Sequence, residues 1–241
     1  MVPRVLTIAT SDSGGGAGIQ ADLKAFAAAG AHGLSALVAL TAQSTTAVTA
    51  VHELPPDFIR AQLDAVFGDI GVDAAKTGML FSRGIIETVA DWLDGRGVTL
   101  VVDPVMLASS GAQLLQDDAV DSLVGRLFPL ATVVTPNLPE AEALTGAAGA
   151  SRRDLAERLV DLGAAAALVT GGHGDPPVDH LFDGRDHVEL PVERLAVPAT
   201  HGAGCTHSAT LAALLARGLP LAEAAAGASR AATEAVRNGL V

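Results

Sequence analysis

Short apolar runs alternate along the chain with longer segments of helical periodicity. The short runs are rich in β-branched residues and predict strands, whereas the longer Ala/Leu-rich segments predict helices. The predicted strands are residues 5–9, 35–41, 74–77, 98–102, 131–135 and 165–170. The predicted helices are residues 18–29, 57–67, 84–93, 118–127, 138–144, 154–162, 204–217 and 221–237. Asp57 is the expected N-cap of the second helix.

Two further apolar runs, residues 180–182 and 187–190, flank an Asp183-Gly184 turn and predict a hairpin. The alternation of strands and helices predicts an α/β fold, in which helices cover both faces of a mainly parallel sheet. No linker, repeat or low-complexity segment divides the chain, so we expect one domain over residues 1–241.

Composition narrows the classes of function. Hydrophobic residues make up 49% of the chain, which excludes a disordered protein, and no apolar run approaches the roughly 18 residues of a membrane span. The formal net charge of −12 argues against nucleic acid or an anionic membrane as a partner, because both bind basic surfaces. The single cysteine and the absence of a signal-peptide pattern predict a cytoplasmic protein.

Polar and glycine-rich segments follow most of the predicted strands. Because ligands of open parallel sheets bind at the carboxyl ends of the strands, these segments predict a cleft there. They are residues 10–18, 41–44, 76–79, 103–106, 135–140 and 170–174.

The segment His201–Thr206 precedes a long helix and predicts an anion site. Gly202, Ala203 and Gly204 bring free N–H groups to a helix start, where glycines allow a phosphate to approach the backbone. Cys205 falls in the first turn, where we expect the helix dipole to lower the thiol pKa and favour a thiolate that accepts an alcohol proton. The alternative is a small packing residue.

Two other interpretations of this segment stay open. His201 and His207 flank Cys205 and suggest zinc, but the spacing matches no zinc pattern. A Cys/His hydrolase is a stronger rival, because a nucleophilic cysteine needs a nearby base.

Residues 11–22 form a glycine-rich stretch that is neither a Walker A loop nor a Rossmann fingerprint. We expect a ligand to approach its backbone closely, with a flexible turn as the alternative.

Further along, Asn137 and Glu140 span a helix start. Glu140 either complements that helix or orients water on Mg²⁺, and Asp103, at a strand end, has the same two interpretations.

Seven segments occur in a fixed order over most of the chain. They are residues 11–24 (SDSGGGAGIQADLK), 41–45 (TAQST), 76–80 (KTGML), 101–106 (VVDPVM), 135–146 (TPNLPEAEALTG), 171–173 (GGH) and 201–206 (HGAGCT). In this combination the chain resembles hydroxymethylpyrimidine/phosphomethylpyrimidine kinases of the ribokinase-like superfamily. The long first and fifth segments are the most specific.

The resemblance implies a three-layer α/β/α ribokinase-like fold, a homodimer, and two successive ATP-dependent phosphorylations. The first converts 4-amino-5-hydroxymethyl-2-methylpyrimidine to its monophosphate, and the second makes the diphosphate in thiamin biosynthesis. It also implies roles for individual residues. By motif, the pyrimidine is bound by Gln43, Asp22, Met79 and Val105. The transferring phosphate is bound by residues 202–205, with Cys205 as the base, and the nucleotide is bound by Asn137, Thr170, Gly172 and Thr206. Mg²⁺ is bound by Glu140 and Asp103.

Three positions depart from the family pattern. Thr10 and Ser44 replace the usual Gly and Asn beside the pyrimidine, and Thr170 replaces a lysine that reaches the ATP phosphates. One alternative is a pyridoxal kinase of the same superfamily, since such kinases share the GxGC-type loop and also phosphorylate a ring hydroxymethyl group. The other is a catalytically decayed relative, which Thr170 would explain. Gln43 favours the pyrimidine, and the intact 202–205 segment favours a working enzyme.

Overall fold

The structure is a computed structural model that describes residues 1–106, 114–172, 174–195 and 201–239. Within these residues, nine strands form one sheet in the order β3-β2-β1-β4-β5-β6-β7-β8-β9. The strands are β1 (Arg4–Asp12), β2 (His32–Gln43), β3 (Val48–Glu53), β4 (Ala74–Thr77), β5 (Thr99–Val102), β6 (Val133–Val134), β7 (Ala167–Val169), β8 (Val178–Phe182) and β9 (His187–Pro191).

The centre of the sheet is parallel and its edges are antiparallel. Strands β2, β1, β4, β5, β6 and β7 pair in parallel, while β3, β8 and β9 join by antiparallel pairing. All four residues of β4 are buried, as a central strand covered on both faces requires. The parallel arrangement brings the carboxyl ends of six strands to one edge of the sheet.

Helices cover both faces and complete three layers. They are α1 (Gly18–Ala28), α2 (Pro56–Asp69), α3 (Arg83–Leu93), the short α4 (Val120–Ser122), α5 (Leu138–Thr145), α6 (Arg152–Asp161), α7 (Ala203–Ala216) and α8 (Leu221–Arg237). Alternate side chains of β1 point to opposite layers: Leu6 and Ile8 pack with α2, α3 and α6, whereas Val5 packs with α1, α7 and α8. None of the described helices is long and apolar enough to cross a bilayer.

Most of the predicted elements are confirmed, one strand was missed and two expectations are wrong. Strand β3 was not predicted, because its mostly exposed residues carry no alternating apolar signal. Helix α2 begins at Pro56 with Pro55 as N-cap, so Asp57 lies in the first turn instead of capping it. Proline fits that turn because its missing N–H needs no partner there. The predicted helix 118–127 is an irregular succession of 3₁₀, α and π turns over residues 117–130.

Candidate active site

A cleft of about 750 Å³ opens at the carboxyl ends of the parallel strands. Loops after β1, β2, β5, β6 and β7 line it, together with the start of α7 and one face of α8. Of the residues predicted to form the site, those on the cleft wall are Gln43, Asp103, Val105, Asn137, Glu140, Thr170, Gly172, Gly202, Ala203, Gly204 and Cys205. Asp22, Met79 and Thr206 are not on the wall.

The start of α7 is built around glycine. Gly202, the N-cap, has φ of 81°, and a Cβ there would lie 1.8 Å from the carbonyl oxygen of Gly16. Only glycine permits this contact between the two loops. No side chain of the described residues caps α7, so its first-turn N–H groups are left for a ligand. Gly204 borders open space, because a Cβ at that position would meet nothing within 4 Å.

The glycine-rich loop after β1 wraps around one carboxylate. Asp12 accepts backbone hydrogen bonds from Gly14 (2.7 Å), Gly16 (3.1 Å) and Ala17 (2.8 Å). Gly18 has φ of 57°, and a Cβ there would lie 2.4 Å from the carbonyl oxygen of Thr10. Gly18 therefore permits backbone to pack on backbone, and the close approach of a ligand to this loop stays a prediction.

His201 connects this loop to Gln43 at the end of β2. Its Nε2 lies 3.0 Å from Asp12 Oδ2 and 3.5 Å from Gln43 Nε2. Burial alone would raise the pKa of Asp12. The contacts with His201 and with the loop amides have the larger combined effect, so the pKa lies below its ordinary value. No local sequence pattern indicates this role of His201.

Gln43 is held at the end of β2 by a second set of contacts. The hydroxyl of Ser13 bonds both the N–H and the carbonyl of Gln43 at 2.8 Å, and the Thr41 hydroxyl donates to Gln43 Oε1 at 3.1 Å. The amide therefore has a defined orientation toward the cleft, as a residue that reads a ligand edge requires.

A fully buried ammonium group lies behind the cleft wall. Lys76 Nζ donates to both Asp22 oxygens, at 2.9 and 3.1 Å, and lies 3.8 Å from Asp103 Oδ2. The Thr7 hydroxyl donates to Asp22 at 2.6 Å. Although burial alone would lower the pKa of Lys76, its carboxylate neighbours hold that pKa above the ordinary value. Lys76 is therefore charged, and no local sequence pattern indicates this buried charge.

Asp22 and Met79 lie behind the cleft in this structure. Asp22 is fully buried against Lys76, and Met79 is buried with its carbonyl accepting a hydrogen bond from the Thr10 hydroxyl at 3.0 Å. Their contact with the pyrimidine stays a prediction. Thr206 is in the first turn of α7, where its N–H donates to the Gly202 carbonyl at 2.9 Å.

Cys205 is half-buried at the start of α7, and the expectation of a lowered thiol pKa is wrong for the protein alone. Burial raises the pKa of the Cys205 thiol to about 12. The ammonium of Lys76 and a hydrogen bond from the Gly18 N–H lower this pKa, but burial together with the carboxylates of Asp22 and Asp103 outweighs them. The helix terminus contributes about 1 kcal/mol or less, under one pKa unit, which is too little to offset desolvation.

Asn137 and Glu140 form a capping box at the start of α5. The Glu140 N–H donates to Asn137 Oδ1 at 2.9 Å, and the Asn137 N–H donates to Glu140 Oε2 at 3.0 Å. Glu140 therefore complements a helix start, as one of its two interpretations held. Burial, with a smaller effect of Asp103, raises the pKa of Glu140 to about 8.

Asp103 follows β5 and faces the same cleft. Its Oδ2 accepts a hydrogen bond from the Ser208 hydroxyl at 2.8 Å. The described residues contain no ready-made group of three His, Cys, Asp or Glu side chains around a metal position. Mg²⁺ takes oxygen ligands and commonly needs only one or two carboxylates besides water and phosphate, so Asp103 and Glu140 fit it by donor type.

The loop after β7 closes another side of the cleft. Thr170 pairs with Asn137 in an isolated parallel bridge, and the Gly171 N–H donates to Asp179 Oδ1 at 2.6 Å. A Cβ at Gly171 would lie 2.4 Å from the carbonyl carbon of Val178, whereas one at Gly172 would meet nothing within 4 Å. Gly171 thus serves packing, and Gly172 leaves room on the cleft side.

Comparison with known proteins places the chain in a family. The family model described as phosphomethylpyrimidine kinase matches residues 12–241. A hydroxymethylpyrimidine/phosphomethylpyrimidine kinase of Rhizobium meliloti is 50% identical over 234 residues, which cover 95% of this chain and 88% of the relative. The thiamine biosynthesis bifunctional protein of Geobacter sulfurreducens is 52% identical over 240 residues, 97% of this chain, and this chain spans 49% of that longer protein.

Solved structures share the fold. A phosphomethylpyrimidine kinase from Clostridium difficile superposes with a TM-score of 0.86 at 40% identity, covering 97% of this chain and 99% of that one. A pyridoxal kinase from Staphylococcus aureus in complex with ADP superposes with a TM-score of 0.90 at 35% identity, covering 100% and 90%. These neighbours confirm the ribokinase-like α/β fold. With its glycine-built helix start on a cleft at the sheet's carboxyl edge, the chain belongs to the phosphomethylpyrimidine kinase family.

Proposed function

We propose that this protein phosphorylates 4-amino-5-hydroxymethyl-2-methylpyrimidine with ATP, and then phosphorylates the monophosphate to the diphosphate. The observation that carries the proposal is the joining of two features in one cleft: an uncapped, glycine-built helix start and an oriented amide at Gln43. The first suits a transferring phosphate and the second suits the edge of an aminopyrimidine.

The transfer site in this proposal is the first turn of α7. Gly202, Ala203, Gly204 and Cys205 present backbone donors to the phosphoryl group, and phosphoryl transfer depends mainly on such positioning and charge stabilisation. Cys205 Sγ receives the proton of the attacking hydroxyl. Because its thiol pKa is about 12 in the protein alone, little thiolate exists near neutral pH, so the rate of this step should increase with pH.

The two substrates occupy opposite ends of the cleft. Gln43 and Val105, which are on the wall, contact the pyrimidine, with Asp22 and Met79 behind them. ATP extends along the other loops, and its neighbours there are Asn137, Thr170 and Gly172, with Thr206 behind them in the first turn of α7. Asp103 and Glu140 hold Mg²⁺ through oxygen ligands or its bound waters, and the ion supplies charge neutralisation for the phosphates.

Pyridoxal phosphorylation is the second candidate. It is favoured by the close superposition on the S. aureus pyridoxal kinase, since both substrates are hydroxymethyl groups on nitrogen heterocycles. The pyrimidine ranks first because the curated kinase from R. meliloti is more similar, at 50% against 35% identity. The intact helix start supports catalysis over a decayed binding protein.

We also propose that the protein acts in the cytoplasm, where ATP is supplied, as one domain that assembles into a homodimer. The exposed edge strand β3 and the exposed apolar side chains of Leu40 and Phe58 offer surface for such pairing. Sedimentation velocity should give the mass of two 24.2 kDa chains. A species with the mass of one chain over the micromolar range would contradict the dimer.

The substrate assignment is tested by offering purified protein Mg-ATP with the pyrimidine alcohol or with pyridoxal. We expect ADP release with the pyrimidine and successive appearance of its mono- and diphosphate, because Gln43 matches the aminopyrimidine edge. Mass spectrometry of the products checks both steps. ADP release with pyridoxal but not with the pyrimidine would transfer the assignment to the second candidate.

Two controls separate chemistry from binding in that assay. Removal of Mg²⁺ with a chelator should stop transfer, since the ion would neutralise the ATP phosphates beside Asp103 and Glu140 in a chain whose net charge is −12. Cys205→Ala should fold normally and lose most of its turnover, together with the pH dependence that the thiol contributes. Wild-type turnover in this variant would leave the thiol only a packing role.

The glycine-built helix start predicts opposite results for two neighbouring substitutions. Gly202→Ala places a methyl group against the Gly16 carbonyl at positive φ, so we expect a loss of at least about 2 kcal/mol in the free energy of unfolding. Gly204→Ala meets no protein atom and should leave that stability unchanged within about 1 kcal/mol. Because its methyl group enters the proposed phosphate space, Gly204→Ala should still weaken ATP binding at least tenfold.

Urea unfolding measures the stabilities and calorimetry measures ATP binding. Equal stability of the two variants would refute the loop contact. Unchanged ATP affinity in Gly204→Ala would contradict the proposal that a phosphate of ATP binds at the first turn of α7.

A further inference from the structure

A pair of buried ionisable side chains lies on the cleft wall apart from the transfer site. His207, one turn into α7, is 5% exposed, and Asp179, on β8, is 3% exposed. Both line the cleft, and His207 Nε2 lies 3.3 Å from Asp179 Oδ2. None of the roles described above uses this pair.

Asp179 is fixed from three sides. Its Oδ1 accepts the Gly171 N–H at 2.6 Å, and its Oδ2 accepts the hydroxyl of Ser229 on α8 while facing His207. Burial raises the pKa of Asp179, but His207, Ser229 and Gly171 together bring it below the ordinary value. The carboxylate is therefore ionised and oriented, and it orients the His207 ring through the Nε2 side.

The other ring nitrogen of His207 is left without a partner. Nδ1 is buried, and among the described residues it has no hydrogen-bond partner; Nε2 has only the ion-pair contact with Asp179. Buried polar atoms are rarely left unsatisfied, and for a side chain that lines a ligand cleft a bond from a ligand atom accounts for the missing partner.

The surroundings indicate which part of a ligand lies there. Ser229, Ala232, Thr233 and Val236 recur at helical spacing on the α8 face that lines the cleft, so this wall is apolar apart from two hydroxyl groups. Pro177 and Val192 also line the cleft, joined by a 2.9 Å hydrogen bond from the Val192 N–H to the Pro177 carbonyl. Apolar walls with few polar groups suit a flat nucleoside base and its sugar.

The distance from the phosphate site agrees with this placement. His207 is four residues after Ala203, which corresponds to about 6 Å along the helix axis. A nucleotide whose phosphates bind the first turn of α7 therefore has its nucleoside half within reach of the His207 side chain.

We propose that His207 is a nucleotide-recognising residue: Asp179 fixes its ring, and Nδ1 hydrogen-bonds the nucleoside half of ATP. The inference rests on the proposed placement of ATP in this cleft. The proposed bond is a contact to the base or the ribose, while the phosphates keep their contacts with the start of α7. Because Asp179 also holds Gly171, the same carboxylate aligns this contact with the loop after β7.

The test compares His207→Leu, which removes the ring nitrogens, with His207→Asn, whose amide occupies the place of Nδ1. Calorimetry measures the binding of ADP and of inorganic pyrophosphate, which lacks the nucleoside. We expect His207→Leu to weaken ADP about tenfold and leave pyrophosphate unchanged, and His207→Asn to stay within about threefold of wild type for both. His187→Ala, at a histidine outside the cleft, is the matched control and should change neither.

Steady-state kinetics adds a second readout, in which His207→Leu raises KM for ATP but not KM for the pyrimidine. Equal weakening of ADP and pyrophosphate would overturn the nucleoside contact in favour of a phosphate contact. Unchanged ADP affinity in a folded His207→Leu, or in both variants, would overturn the inference while leaving the proposed function intact. Absence of ADP binding by the wild type would overturn both together.

Discussion

Lys76 holds a positive charge in the middle of the molecule, and the groups that pair with this charge join the elements that build the cleft. Its ammonium joins Asp22 on α1 and Asp103 after β5, while Thr7 on β1 and Ser208 on α7 bond the same carboxylates. Five elements thus meet around one buried cation. Removing either member of the Lys76–Asp22 pair leaves an uncompensated buried charge, which typically costs 3–5 kcal/mol. The cluster lies directly behind Cys205, so its net charge also sets how readily the thiol ionises.

The second constraint is close packing between the loop after β1 and the start of α7. Gly202 rests on the Gly16 carbonyl, and His201 bonds the Asp12 carboxylate that the glycine loop encloses. The same contact links the start of α7 to the end of β2, because His201 also lies beside Gln43. These short-range contacts hold the two halves of the cleft in register with each other.

The sequence predicted the features that depend on neighbouring residues. The buried run 99–102 and the helix start after Gly202 follow from local pattern, and the parallel sheet then brings Gln43, Asp103 and Asn137 to one edge. It did not predict contacts between distant segments: Lys76 with Asp22, His201 with Asp12, or His207 with Asp179. The prediction of a lowered thiol pKa for Cys205 was wrong for the same reason. Helix position was visible in the sequence, whereas the burial and the two carboxylates behind Cys205 arise only on folding.

The claim that buried charge governs the transfer site is tested most directly by alkylating the chain's single thiol with iodoacetamide as a function of pH. Wild type should react slowly at pH 8, because the thiol pKa is about 12. Asp22→Asn removes a carboxylate and leaves the ammonium facing Sγ, so alkylation should be at least about tenfold faster, which corresponds to one pKa unit. Lys76→Met should instead be slower than wild type. Equal rates in all three proteins would contradict the account, and so would acceleration in both variants, which would indicate a loosened fold instead of an electrostatic effect.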